Sequence, residues 1–207
     1  MVSKGWAARV GGRTAALAGV LAAVAATAVL VAILLTPEQT GSRTPMLAEI
    51  GGPFTLTNQE GRVVTNADFR GRWVLLYFGY THCPDVCPTT INTMVGAIDA
   101  LGPERAKIRA LFITLDPERD TPAVLKDYTG AFQGEVLGLT GTPEQIASAA
   151  GAYRIGYHKH LIPEDNDYSI DHSAVIFLLD PAGRTVSVFS HETPPEQLAQ
   201  RLKAALQ

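Results

Sequence analysis

The apolar run Trp73-Val74-Leu75-Leu76-Tyr77-Phe78 leaves no polar position on either face of an extended chain. A strand of this kind is buried on both faces, a condition met inside a sheet that carries helices on both sides. From Ile91 onward the apolar residues fall at Ile91, Met94, Val95, Ile98 and Leu101, one face of a helix ending at Gly102-Pro103. Between strand and helix stands Gly79-Tyr80-Thr81-His82-Cys83-Pro84-Asp85-Val86-Cys87-Pro88, which holds the only two cysteines of the 207 residues, four positions apart. Unpaired amides and the dipole at a helix start favour negative charge, so this position predicts that both thiols are stabilised as thiolates. Side chains at i and i+4 on a helix lie roughly 5–6 Å apart at Cβ, within reach of one metal ion or of a disulfide. The pair therefore reads as a soft-metal site, a thiol redox site, or both. Two prolines, an aspartate and a histidine in the same loop argue against simple core filling. A purely structural disulfide closing so short a loop would add little stability.

The N-terminal region has a different character. Ala15 to Leu35 is a 21-residue apolar segment whose only polar member is Thr27. At about 1.5 Å per residue it is long enough to cross a hydrocarbon core of roughly 30 Å. Lys4, Arg9 and Arg13 precede it and no acidic residue occurs before Glu38, which puts the N-terminus in the cytoplasm and the remainder outside. A cleaved signal peptide is the alternative. The run exceeds the usual apolar region of such a peptide, and cleavage within it would leave Val29 to Leu35 as an apolar stub, so an uncleaved anchor is favoured. The 14 residues ahead of it are short for a mitochondrial targeting segment, which points to a bacterial plasma membrane. The expected layout is a cytoplasmic N-terminus at 1–14, an anchor at 15–35, a Pro-, Thr-, Gly- and Ser-containing tether at 36–48 and one domain at 49–207. The first 37 residues hold three basic and no acidic residues, so the remainder has 14 basic against 20 acidic residues, net −6, which disfavours nucleic-acid binding.

Within 49–207, Phe54 to Thr57 and Arg62 to Thr65 alternate like a hairpin about Asn58 to Gly61. Ile108 to Leu115 is a second apolar strand, stopped by Asp116-Pro117, and Thr121-Pro122 opens a helix carrying Val124, Leu125, Tyr128 and Phe132. Two successive strand-helix units at this spacing imply parallel neighbouring strands, with Asp116 on the same edge as the cysteines. A strand from Glu135 to Leu139 follows, then a capping box at Thr142 to Gln145 with a helix to about Ala152. Tyr153 to Asp171 shows little periodicity and is left without an element, although it contains His158, His160, Glu164, Asp165 and Asp167. Ala174 to Leu179 is a third apolar strand, turned at Asp180 to Gly183 into Arg184 to Phe189, and a capping box at Thr193 to Glu196 opens the last helix. The order resembles a thioredoxin-like fold, an α/β class with a central mixed sheet flanked by helices, here with an N-terminal hairpin and one N-terminal transmembrane helix. In that fold the strand opening the final hairpin runs antiparallel to the earlier pair, which brings His172 beside the cysteine loop.

Two thiolates and one imidazole make a soft three-coordinate set that suits Cu(I), and the Irving–Williams order favours Cu(II) for such donors as well. Zinc in a closed structural site wants a fourth protein ligand, to come from His82, His158, His160 or a carboxylate, so copper ranks above zinc. The segments Phe78 to Pro88, Ile113-Thr114-Leu115-Asp116-Pro117-Glu118-Arg119-Asp120-Thr121 and Asp171-His172-Ser173 closely resemble the Sco/SenC family, in order and over essentially residues 49–207. The C-x-x-x-C spacing sets them apart from ordinary thioredoxins. The resemblance implies a membrane-tethered copper metallochaperone that assists assembly of the binuclear copper centre of cytochrome c oxidase. It implies Cys83, Cys87 and His172 as the copper ligands, and Asp116 to Asp120 as the family's acidic motif near the site.

The expected function is delivery of copper, as Cu(I), Cu(II) or both, to the copper-centre subunit of the oxidase on the periplasmic side. Other copper chaperones or thioredoxin-like reductants are further partners in this reading. The alternative is a thiol-disulfide oxidoreductase in which Cys83 and Cys87 form the redox-active pair that keeps the oxidase cysteines reduced. A peroxidase is disfavoured because no Thr-x-x-Cys precedes Cys83. His82 reads as exposed or outside the ligand set, His158 and His160 as a solvated loop in preference to a weak metal site or a partner contact, and His191 as a surface residue.

Overall fold

The computed structural model describes residues 47, 49–132, 136–163 and 167–207. The expected anchor at 15–35 and nearly all of the tether at 36–48 lie outside the described residues. No helix among the described residues is long and apolar enough to cross a membrane.

The doubly apolar run forms β3 (Trp73–Gly79) inside a seven-stranded mixed sheet. Its neighbours are β4 (Ile108–Thr114), parallel, and β8 (Val175–Leu179), antiparallel. Beyond β4 come β5 (Val136–Thr140), parallel to it, and the antiparallel pair β1 (Thr55–Asn58) and β2 (Val63–Thr65). The other edge is β9 (Thr185–Ser190), paired with β8. The hairpin and the parallel β3–β4 pair are those the patterning predicts, and the antiparallel β8 is the one that the resemblance to a thioredoxin-like fold implies.

The α-helices among the described residues are α1 (Val86–Asp99), α2 (Pro122–Gly130), α3 (Pro143–Ala152) and α4 (Pro195–Ala205). Burial of β3 on both faces follows from their placement. Tyr77 reaches Cys87 in α1, whereas Phe78 points the other way and packs on Tyr153, directly after α3, and on Phe177 of β8. Ile91, Met94, Val95 and Ile98 are the buried face of α1, as their spacing predicts, and α1 packs against α4. α2 begins at Pro122 with the Thr121 hydroxyl accepting from the Val124 amide, and α3 begins with a reciprocal Thr142–Gln145 capping box.

Three sequence expectations change. α1 starts at Val86, so Cys87 lies in its first turn, while Cys83 lies in the preceding loop rather than on the helix. The cap of α4 is Pro194, which has no side-chain acceptor; Thr193 stands one residue outside, and the expected capping box does not form. The unassigned stretch after α3 is a separate two-stranded ribbon, β6 (Tyr157–Ile162) and β7 (Asp167–His172). Its sequence carries no apolar–polar alternation because Ile170 is its only buried residue, its inward positions include Lys159 and His172, and Leu161 and Ile162 are exposed.

The sheet interior sets the stability. Leu76→Ala, in a strand position with no solvent exposure, is expected to cost about 2–5 kcal/mol in chemical denaturation, the usual range for deleting a buried leucine side chain.

Candidate metal centre

Cys83 and Cys87 are both free thiols. The loop leaving β3 turns back at once, with the Cys83 amide donating to the Tyr80 carbonyl. Cys83 ends half-buried and Cys87 fully buried. The Cys87 amide, one of the unpaired donors of the α1 start, lies 3.4 Å from the Cys83 sulfur and donates to it. The Cys87 thiol donating to the same sulfur, together with that amide and against partial burial, pushes Cys83 down to about 5. Cys87 moves the opposite way, held protonated by its hydrogen bond to Cys83 and by burial. The expectation of two stabilised thiolates is thus corrected to one: the Cys83 sulfur collects the α1 amide and the Cys87 thiol, while at Cys87 burial and the hydrogen bond to Cys83 outweigh the Tyr77 hydroxyl that donates to it.

His172 closes β7, and its Nε2 stands 3.6 Å from the Cys87 sulfur, a contact across 85 positions of sequence. Its Nδ1 is 3.3 Å from the Ser173 carbonyl. A carbonyl can only accept, so Nδ1 carries the proton and the Nε2 lone pair faces the sulfur. Burial lowers the imidazole's pKa, against the Ser173 hydrogen bond, which raises it. Tyr77 and Tyr80 meet the ring edge-on at centroid distances of 6.0 and 6.2 Å, and the Tyr77 hydroxyl is 3.7 Å from the Cys87 sulfur. Gly79 makes this closeness feasible, because a Cβ there would come within 2.7 Å of the Cys87 sulfur and 2.9 Å of Phe112. The three donors are neighbours rather than a finished cage: among the described residues no three His, Cys, Asp or Glu side chains are arranged to hold an ion as they stand.

Two buried carboxylates from the segment after β4 position the donors. Asp120 accepts from the Thr81 amide at 3.0 Å, from the Thr81 hydroxyl at 2.6 Å and from the Thr114 hydroxyl at 2.5 Å, fastening the cysteine loop to the end of β4. Asp116 accepts from Arg119 and from the Tyr168 hydroxyl at 2.7 Å. Arg119 also donates to Asp167 at 2.6 Å and lies 3.6 Å over the Tyr168 ring, so the ribbon that ends in His172 is fastened to the same segment. The acidic motif is visible in the sequence, and Asp116 does lie at the cysteine edge. Tyr168, 52 positions from its carboxylate partner, carries no sequence signal.

The remaining histidines stand apart from the thiols. His82 is about half exposed and 3.9 Å from Asp120. His158 and His160 are on the ribbon rather than in a loop. His191, expected at the surface without a partner, is half-buried with Nδ1 3.2 Å from the Ala174 carbonyl. Glu164 and Asp165 lie outside the described residues.

A mixed sheet flanked by helices, with a C-x-x-x-C dithiol at the start of a helix and an imidazole against it, defines a thioredoxin-like protein with a sulfur-nitrogen donor site. The SCO1/SenC family model matches residues 42–207, and the chain belongs to the SCO1/SenC family. It is 44% identical over 154 residues to the bovine mitochondrial Protein SCO2 homolog, covering 73% of this chain and 58% of that protein. The chain therefore spans little more than half the length of that relative. Protein SenC of Rhodobacter capsulatus is 38% identical over 200 residues, covering 92% of this chain and 89% of SenC. The structure of Bradyrhizobium japonicum ScoI with copper bound superposes with a TM-score of 0.69 at 45% identity, covering 75% of this chain and 98% of that one.

The unequal thiols are open to direct measurement. Thiolate is the reactive form, so iodoacetamide at pH 7 is expected to label Cys83 well before Cys87. The Cys83 rate should fall as the pH is lowered through about 5. Peptide mass spectrometry showing equal labelling, or Cys87 first, would contradict the assignment.

Proposed function

We propose that Cys83, Cys87 and His172 bind copper and that the domain delivers it to the binuclear copper centre of cytochrome c oxidase. The observation that carries this reading is the 3.6 Å approach of the His172 Nε2 to the Cys87 sulfur. With one thiolate already formed, a second thiol beside it and an unprotonated nitrogen facing them, the set offers soft donors of the kind Cu(I) prefers. Copper displaces the Cys87 proton on binding, which makes loading release acid. Support also comes from ScoI of Bradyrhizobium japonicum, whose structure holds copper.

Transfer proceeds by ligand exchange. Cys83 is half-buried rather than enclosed, so an incoming thiolate of the oxidase subunit reaches the metal from its side. In this proposal residues 15–35 anchor the protein in a bacterial plasma membrane, 36–48 form the tether, and 49–207 work on the periplasmic side. Copper chaperones upstream and thioredoxin-like reductants are its further partners.

The unequal thiols favour a second reading with the same pair. The Cys83 thiolate attacks a disulfide in the oxidase subunit, giving a mixed disulfide and one free thiolate on the partner. The Cys87 thiol passes its proton to that leaving thiolate and attacks Cys83. The second partner sulfur leaves Cys83 as a thiolate and takes its proton from water, so the products are the partner dithiol and an oxidised Cys83–Cys87 pair, which an external dithiol must reduce again.

Replacement of His172 separates the two. In the full chain, His172→Ala is expected to weaken Cu(I) binding by more than about 100-fold, beyond what loss of a group outside the ligand set costs. Thiol-disulfide exchange should persist. Anaerobic Cu(I) competition titration that gives wild-type affinity for either Cys83→Ala or His172→Ala would refute the three-donor site.

A further inference from the structure

The β6–β7 ribbon has two faces with different chemistry. Tyr168, Ile170 and His172 are turned toward the domain, whereas His158, His160 and Asp171 alternate onto the opposite, solvent side. Register places His158 directly across from Asp171 and His160 across from Ser169. The two imidazoles stand 4.8 Å apart at their centroids with planes 75° apart. The His160 Nε2 lies 2.7 Å from the Asp171 carboxylate.

We infer that His158 and His160 form a second metal site, distinct from the thiol centre, for an imidazole-preferring divalent cation, with Cu(II) first. The separation of the rings is the first reason. With a metal–nitrogen bond of about 2.0 Å a ring centroid sits about 3 Å from the ion, so two rings bound roughly 90–110° apart have centroids about 4.5–5 Å apart. The observed pair already has that spacing, and residues two apart on one strand face are held to it by the backbone. The second reason is the carboxylate. An N–H of His160 must face Asp171, so Nε2 is protonated and Nδ1 carries the lone pair, the arrangement by which a neighbouring carboxylate orients a ligating imidazole. Third, the one cation between them in sequence is turned away: Lys159 is on the inner face and paired with Glu118 at 2.8 Å. Two imidazoles bind borderline divalent ions in the order that peaks at Cu(II), with water completing the coordination. Asp171 is a positioning residue here, not a ligand.

The experiment uses the full chain in detergent with Cys83→Ser and Cys87→Ser, so that its outcome is independent of the thiol centre. Titration with copper(II) sulfate, followed by electron paramagnetic resonance, is expected to show one equivalent of bound Cu(II) with two nitrogen donors. Adding His158→Ala and His160→Ala should abolish that signal. Both side chains are exposed, so circular dichroism should show an unchanged fold. Asp171→Ala is expected to keep the two-nitrogen spectrum and weaken binding about tenfold, as loss of an orienting partner does. Absence of bound Cu(II) in the cysteine-free protein overturns the site, as does a spectrum that survives removal of both imidazoles.

Discussion

The donor site depends on one carboxylate. Asp120 has no solvent exposure and accepts three hydrogen bonds, two from Thr81 and one from Thr114. A buried carboxylate without partners would be costly, and this one is stabilised only when the cysteine loop lies against the end of β4. The apolar strands explain why there is a sheet, but they do not fix where the loop after β3 goes. Asp120 does, and it thereby sets the position from which Cys83 meets the start of α1.

The nitrogen donor arrives by a separate route. The ribbon belongs to no part of the main sheet and holds one buried side chain, Ile170. What keeps its end beside the thiols is polar: Asp116, Arg119, Tyr168 and Asp167 make a continuous set of hydrogen bonds and a cation–π contact between the ribbon and the β4 loop. The five-residue segment from Asp116 to Asp120 thus holds both the sulfur-bearing loop and the imidazole-bearing ribbon, through two carboxylates that face different ways.

Where hydrophobic periodicity dictates structure, the sequence is informative. The doubly apolar β3 and β4, the buried stripe of α1, the Thr121 cap and the Thr142 box are all written in short-range patterns. The closeness of His172 to the cysteines follows from the direction of β8 relative to β3. The ribbon left no such trace, because its strands bury almost nothing. The division of the cysteines into thiolate and thiol was also illegible from spacing. It depends on which sulfur the Cys87 amide points at and on the difference in burial, both products of the loop's path. The role of Asp120 could be guessed only as part of an acidic cluster, since Thr81 and Thr114 become its partners when the chain is folded.

The ribbon's sparse anchorage gives the site unequal mechanical compliance. The sulfurs are fixed by the sheet, by α1 and by a hydrogen-bonded carboxylate, all of which resist displacement together with the core. The imidazole rides on a two-stranded arm held by one core side chain, Ile170, and by a few polar contacts centred on the buried Asp116, an anchorage smaller than that of the sheet. A cargo ion held by these three groups would therefore lose its nitrogen before its sulfurs. In the proposed transfer, the order in which the bonds break would follow the stiffness of the scaffold behind each donor.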